Sequence, residues 1–434
     1  MARLDEVPNP QAGQQQMTAT QRYLWIAWVN ALTMAVIFAT FIHIGIDFPE
    51  TVTCVTRFVD FHAIWGAARI ALDGNITEAF QRETLEQAYS ACDQVNMYWL
   101  YPAPMVPLVT PFGLMPFLLA FLTFAALSVL VLMLSLRPLL PNDKVALVAF
   151  LFAPAWLPAL LIGQFTVLWC AGLLAAITAM RADRHLLAGF LFGLLTVKPT
   201  LGLLIPVVLL ADRRYRTIAA AVLTTLVLHT STTALYGLDY FRTWIIASRD
   251  HGASLAENLA ILDVMGSVAA FAAQFGAPSN VALSVNLGVM IVVAIVLFLV
   301  WRQAGAKSDA ACAALCAALP LSTPYLWHYD AAFSALSALF IYRIGPQKRH
   351  PAFWIILAIL WIGPGFRVLN AYTFQLPWLI PPLIDPFIML AIVTAHTKLL
   401  DADRECQEQD KRIDQWRDQP GYLKSVSVQD SKAG

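Results

Sequence analysis

The chain has 434 residues, 59% of them hydrophobic and only 13% charged, with a mean hydropathy of +0.64. A soluble domain of this size needs far more charge on its surface, so that class is excluded. Lys and Arg balance Asp and Glu at 28 each, and a net charge of zero gives no electrostatic footprint for nucleic acid. The charges fall in short clusters between apolar runs of roughly 20 residues, the length that crosses a bilayer.

In chain order, a polar cytoplasmic segment, 1–22, leads into the first apolar run, Tyr23–Ile46. Only Arg22 stands close before it and no small-residue cleavage site follows, so it reads as a retained transmembrane helix and not a signal peptide. A long loop, about Asp47 to Ala103, carries helical patterns and aromatics and is expected to fold on the outer surface. Spans follow near 116–136, 145–163 and 165–180. The stretch 186–211 is too long for one untilted span and short for two, and Lys198-Pro199 interrupts it. A hairpin of two short helices puts Lys198-Pro199 near its tip, with Arg181/Arg184 and Arg213/Arg214/Arg216 on one side. A span at 217–236 precedes a second outer loop, about Gly237 to Asn280. Further spans are expected near 281–301, 309–322, 331–344, 352–364 and 378–397, and a charged cytoplasmic tail, 398–434, partly disordered, ends the chain. The expectation is an all-α polytopic membrane protein with about 10–12 transmembrane segments. Its transmembrane domain covers 23–397.

Lys and Arg set the orientation. With the N-terminus inside, most of the 28 basic residues face the cytoplasm, among them Arg137, Lys144, Arg302, Lys307, Arg343, Lys348, Arg349 and Lys398. Of the six cysteines, Cys54 and Cys92 share the first outer loop, where an oxidising compartment permits a disulfide without the spacing establishing one. Cys312 and Cys316, one helical turn apart in an Ala-rich run, read as small packing residues. No internal repeat is visible, which weighs against many transporter folds.

Polar groups in apolar surroundings mark candidate chemistry. Asp60 opens a stretch in which Phe61, Trp65, Ala68 and Leu72 recur at helical spacing before Gly74. It reads either as an N-cap or as a general base close to where the first span leaves the bilayer, and the two are compatible. Tyr101-Pro102-Ala103-Pro104, with Pro107 and Pro111, forbids a regular span and reads as a bent interfacial connector. Gly163-Gln164 is an outward turn, its amide either an ordinary polar tip or a donor facing a cleft. Lys198 is an intramembrane cation, either snorkelling or paired with a lipid phosphate. Thr323-Pro324-Tyr325-Leu326-Trp327-His328-Tyr329-Asp330 is another outward turn, either an aromatic interface belt or a site in which His328 holds a phosphate or orients a hydroxyl. Asp385 sits in the outer half of the last span. There is no P-loop, no GxGxxG after a strand, no HExxH and no GxSxG, and no soluble nucleotide-sugar domain. No carboxylate pair compels a metal, and neither metal nor cofactor is expected.

Taken in order, the blocks at Asp60–Gly74, Tyr101–Pro116, Gly163-Gln164, Leu187-Ala188-Gly189 through Lys198-Pro199 to Arg216, and Thr323–Asp330 resemble glycosyltransferase family 87 of the GT-C superfamily. The similarity covers about residues 23 to 397. It implies an inverting transfer of a sugar, mannose foremost, from a polyprenyl phosphate to a glycolipid or glycan hydroxyl at the outer face of a bacterial inner membrane. It also implies Asp60 as base, His328 positioning donor phosphate or acceptor, and Lys198, Gln164, Tyr101, Asp330 and Trp65 contacting donor or acceptor. The chain departs from the family pattern at Ala103, where a second proline is usual, at His328, where an acid is frequent, and at Met265-Gly266-Ser267, a partial match. Asp47 is the runner-up base. A flippase of lipid-linked glycans and a non-catalytic envelope scaffold are the alternatives from other classes, and neither needs a base at Asp60.

Overall fold

The computed structural model describes residues 59–89, 97–260, 265–344 and 359–361. Among them there is no strand, only an isolated antiparallel bridge between Met265 and Trp327, so the chain is an all-α membrane protein. The expected spans at 23–46 and 378–397, nearly all of 352–364, Asp47, Cys54, Cys92, Asp385 and the tail lie outside the described residues.

The helices fall into two kinds. The first kind is long and faces lipid: α3 (Phe117–Leu136), α9 (Tyr215–Tyr236) and α12 (Ser279–Ala304). Their hydropathy qualifies them to span, together with the composite 144–162 segment, making four candidate spans among the described residues. Along α3, Ala120, Phe121, Phe124, Ser128 and Leu132 turn inward at i, i+4 spacing, while Leu118, Leu122, Leu130 and Leu134 stay exposed. Ser128 satisfies its hydroxyl within the helix, donating to the Phe124 carbonyl at 2.8 Å.

The second kind is short, broken and enclosed. The expected single span at 145–163 is instead α4 (Lys144–Leu151) and α5 (Leu157–Ile162), interrupted at Pro154. Proline lacks the N–H the ladder needs. The segment near 165–180 is α6 (Thr166–Arg181), and the one near 309–322 is α13 (Asp309–Ala318) followed by a tight turn to Ser322. The last helix of this kind is α14 (Phe333–Arg343). Every residue of α13 is buried; its alanines let the neighbouring helices close around it from all sides. Cys312 and Cys316 lie there, buried and without a disulfide.

Residues 185–211 form the expected hairpin. Helix α7 (His185–Leu194) rises to the Lys198-Pro199 break and α8 (Ile205–Ala211) returns. Both ends meet: Arg214 Nη1 lies 2.7 Å from Asp183 Oδ1. Helix α9 then runs parallel to α7. Gly189 faces Ala220 and the Thr217 carbonyl, and Gly193 faces Thr224 and the Ala221 carbonyl, so closely that a Cβ on either would stand 2.4–2.5 Å from an atom of α9.

One end of the bundle collects basic residues. Arg181 Nη2 meets Asp309 Oδ1 at 2.6 Å, and Arg343 Nε meets the same oxygen at 3.0 Å. Arg214 bridges Asp212 and Asp183, and Lys307 reaches Asp183 at 3.1 Å. The opposite end carries α1 (Val59–Leu72), α2 (Arg82–Tyr89), α10 (Leu238–Glu257) and α11 (Val268–Gln274). These belong to the two expected outer loops, and they pack on each other. Tyr240 of α10, fully buried, accepts from Trp99 Nε1 at 2.8 Å and donates to the Tyr101 carbonyl at 2.9 Å. Trp244 Nε1 donates to the Leu100 carbonyl at 3.0 Å.

Candidate active site

Asp60 stands in the first turn of α1, and the close approach of another element decides what it meets. Helix α5 ends at Gly163, whose φ of +78° suits the left-handed position past a helix end. The Gln164 N–H reaches back to the Ala159 carbonyl at 2.8 Å, completing the cap. A Cβ on Gly163 would lie 2.5 Å from the Phe61 Cβ. Only glycine therefore serves there, for conformation and for space alike. That contact lays Gln164 against Asp60.

Gln164 Nε2 donates to Asp60 Oδ2. Its other amide atom, Oε1, accepts from Tyr101 Oη at 3.1 Å, so the two bonds agree on the amide's orientation. Tyr101 is held in turn through its backbone by Tyr240 and through its neighbour Leu100 by Trp244. Two residues beyond Gln164, the buried hydroxyl of Thr166 donates to Asp330 Oδ1 at 2.6 Å. Lys198 Nζ donates to the same oxygen at 3.0 Å and to Thr166 Oγ1 at 3.4 Å, and lies 5.0 Å from the centre of the Tyr329 ring. The turn 163–166 thus joins an acid–amide–phenol chain to a buried ion pair.

The intramembrane lysine has a partner, as its cost requires: side-chain exposure is 14% for Lys198 and 3% for Asp330. Two of its N–H donors are engaged, leaving another for an anionic oxygen. Burial pushes the Asp60 carboxyl up to about 6; Asp330 adds to the rise, and the Gln164 hydrogen bond and Lys198 oppose it. A carboxylate poised there is ionised at neutral pH yet basic enough to accept a proton.

Of the residues expected from sequence, the structure brings together Asp60, Gln164, Tyr101, Lys198 and Asp330. Trp65 lies a turn further along α1 and points elsewhere: its indole N–H donates to the Met115 carbonyl at 2.9 Å, and Arg69 stacks on its ring at 5.0 Å. His328 is half-buried, its ring 5.3 Å from that of Tyr329, in a turn braced where the Gly266 N–H donates to the Leu326 carbonyl at 2.7 Å. Sequence reasoning missed Thr166. A hydroxyl two residues past Gln164 at a helix start has an ordinary reading, and nothing in the local pattern marks it as the hinge of the ion pair. Among the described residues no group of three or more His, Cys, Asp or Glu side chains is placed to hold a metal ion.

Compared with known families, residues 99–326 match the model of glycosyltransferase family 87. No curated protein and no solved structure matches the chain.

Proposed function

Since the chain belongs to glycosyltransferase family 87, and is therefore a membrane glycosyltransferase, we propose that Asp60 is the general base of an inverting sugar transfer from a polyprenyl phosphate. The sugar is a hexose, mannose foremost, and the acceptor is a glycolipid or glycan at the outer face of a bacterial inner membrane. The observation that carries this reading is the pairing of a base-competent carboxylate with a buried cation across one turn of chain.

The chemistry follows from that arrangement. The acceptor O–H gives its proton to Asp60 as its oxygen attacks the anomeric carbon. The bond from that carbon to the phosphate oxygen breaks, and polyprenyl phosphate leaves with the electron pair. Lys198 stabilises the charge that grows on the departing phosphate, in a site where water is largely excluded. Asp330 and Thr166 hold the ammonium in place, and His328 assists with donor phosphate or acceptor. Gln164 and Tyr101 aim the carboxylate. The transmembrane domain over 23–397, with cytoplasmic termini, puts Asp60 on the side opposite the basic cluster.

The test is sugar transfer by purified protein in lipid, supplied with radiolabelled polyprenyl-phosphate mannose and a membrane lipid extract. Wild type is run beside Asp60→Asn, which keeps the shape and removes the base. Product from wild type alone supports the reading. Product from both removes the role from Asp60 and moves it to Asp47. No product from either overturns the donor assignment, and a panel of other lipid-linked sugars then finds the replacement.

A further inference from the structure

The second outer segment carries a feature the transfer reaction does not use. Helix α9 has 22 residues, about 33 Å at an α-helical rise, which matches the hydrocarbon thickness of a bilayer. Its last residue, Tyr236, therefore lies at the membrane surface. Gly237, at φ +89°, turns the chain, and α10 begins at the very next residue. A 20-residue helix starting there either leaves the membrane or lies along it.

The faces of α10 decide between these. One face is docked: Tyr240 and Trp244 hold the segment 99–101. A second face, at i, i+3, i+7 spacing, exposes Leu238 (64%), Phe241 (39%) and Ile245 (46%). It continues from Leu235, exposed at the end of α9. Beside this stripe stand Arg242 and Arg249, then the exposed Ile246 (59%), and beyond it Asp239, 3.6 Å from Arg242, and Asp250, all exposed. An apolar stripe bordered by arginines, which place their stems in apolar surroundings and their charge at phosphates, is the pattern of a helix lying in a membrane interface. A helix projecting into water would leave that stripe uncovered.

The geometry points to α10 as an interfacial helix, its Leu238–Phe241–Ile245 stripe set into the acyl boundary of the leaflet on the site's side, with Arg242 and Arg249 at the phospholipid phosphates. Its docked face then carries the position of the bilayer surface to Tyr101, and through Gln164 to Asp60. The occupant of the stripe is phospholipid, because the stripe continues the lipid-facing surface of α9 and arginines stand directly beside it. The inference rests on α9 spanning the membrane and not on the identity of the donor or base, so failure of the transfer assay leaves it standing.

The test is photo-crosslinking of the full chain in vesicles of phosphatidylethanolamine and phosphatidylglycerol. A benzophenone residue, which inserts into C–H bonds, replaces Phe241, Ile245, Asp239 or Asp250 in turn, and adducts are identified by mass. Each variant is first shown to be monodisperse with the wild-type unfolding temperature. Several-fold more phospholipid adduct at 241 and 245 than at 239 and 250 is the expected result. Equal yields at all four positions overturn the inference. So do crosslinks from 241 and 245 to a second copy of the chain, which would make the stripe a dimer contact, or adducts there to added glycan in place of lipid.

Discussion

The two ends of the bundle handle charge in opposite ways. At the basic end, every acid in the cluster is matched: Asp309 takes Arg181 and Arg343, Asp212 takes Arg214, and Asp183 takes Arg214 and Lys307. At the other end, Lys198 and Asp330 are paired, but Asp60 is held by a neutral amide. Helix α6 connects the two, with Thr166 at one terminus and Arg181 at the other, about 24 Å apart along its 16 residues. A carboxylate with an arginine on it is a strut, and Asp183 is held below the ordinary carboxylate range by Arg214 and Lys307. One held by an amide keeps its affinity for protons and is available for chemistry. On the proposed mechanism, stability belongs to the first end and reactivity to the second.

The largest expected effect separates them directly. Asp60→Asn is expected to lower the transfer rate by about 10²–10⁴-fold, the usual contribution of a general base. The same variant is expected to unfold at an equal or higher temperature at pH 7. The sign follows from burial: the folded carboxyl titrates near 6, above its ordinary value of 3.8, so folding favours the protonated form. Its ionisation makes the native state progressively less stable as pH rises from about 4 to 6, and the uncharged amide removes that cost. A thermal unfolding series across pH, run beside the rate assay, checks both halves.

Next in size, Asp309→Ala is expected to destabilise the protein by about 3–5 kcal/mol, because Arg181 and Arg343 lose their shared counter-ion in a largely buried place. Below its unfolding temperature this variant should retain the wild-type rate. A large rate loss in the folded protein would break the division between the two ends. Asp330→Ala is expected to cost a similar amount of stability, and Lys198→Met added to it should restore part, since the double variant leaves no unpaired buried charge. Comparing the singles with the double in a thermal unfolding series measures that coupling.

Smaller effects sharpen the account of Asp60. Gln164→Ala removes the hydrogen bond that holds its pKa down, so the acidic limb of the pH–rate profile should move to higher pH. A profile that keeps its shape while the rate falls would make Gln164 a contact for substrate and not for the base. Tyr101→Phe loses only the bond that aims the amide, and a rate loss of about tenfold or less is expected, consistent with one neutral hydrogen bond.

Much of the architecture was legible in the chain. The uncharged runs at 116–136, 217–236 and 281–301 became α3, α9 and α12, because a lipid-facing helix must be apolar along its whole length. The hairpin at 186–211 was legible from its length and from Lys198-Pro199, and its two ends do meet, where Arg214 pairs with Asp183. The break at Pro154 inside 145–163 was less visible, since an enclosed segment needs no unbroken helix when its neighbours satisfy it. In the site, Asp60, Gln164, Tyr101, Lys198 and Asp330 were each nominated singly, but nothing local said which would touch. Trp65 shared a helix and a periodicity with Asp60 and yet turns to Met115, because a helix shows successive residues to different neighbours.

By itself, the sequence determined the membrane setting, the long spans, the helical outer loops and a short roster of polar residues in costly places. These are consequences of local composition, since hydropathy, proline and unpaired charge act on the segment that carries them. Only the tertiary structure decided that Lys198 belongs to Asp330, that Asp60 belongs to Gln164, and that Thr166 braces the ion pair. Those partners stand far apart along the chain, and the meeting of Asp60 with Gln164 depends on how closely a turn at Gly163 can approach Phe61. That is a matter of shape in three dimensions, which no single segment encodes.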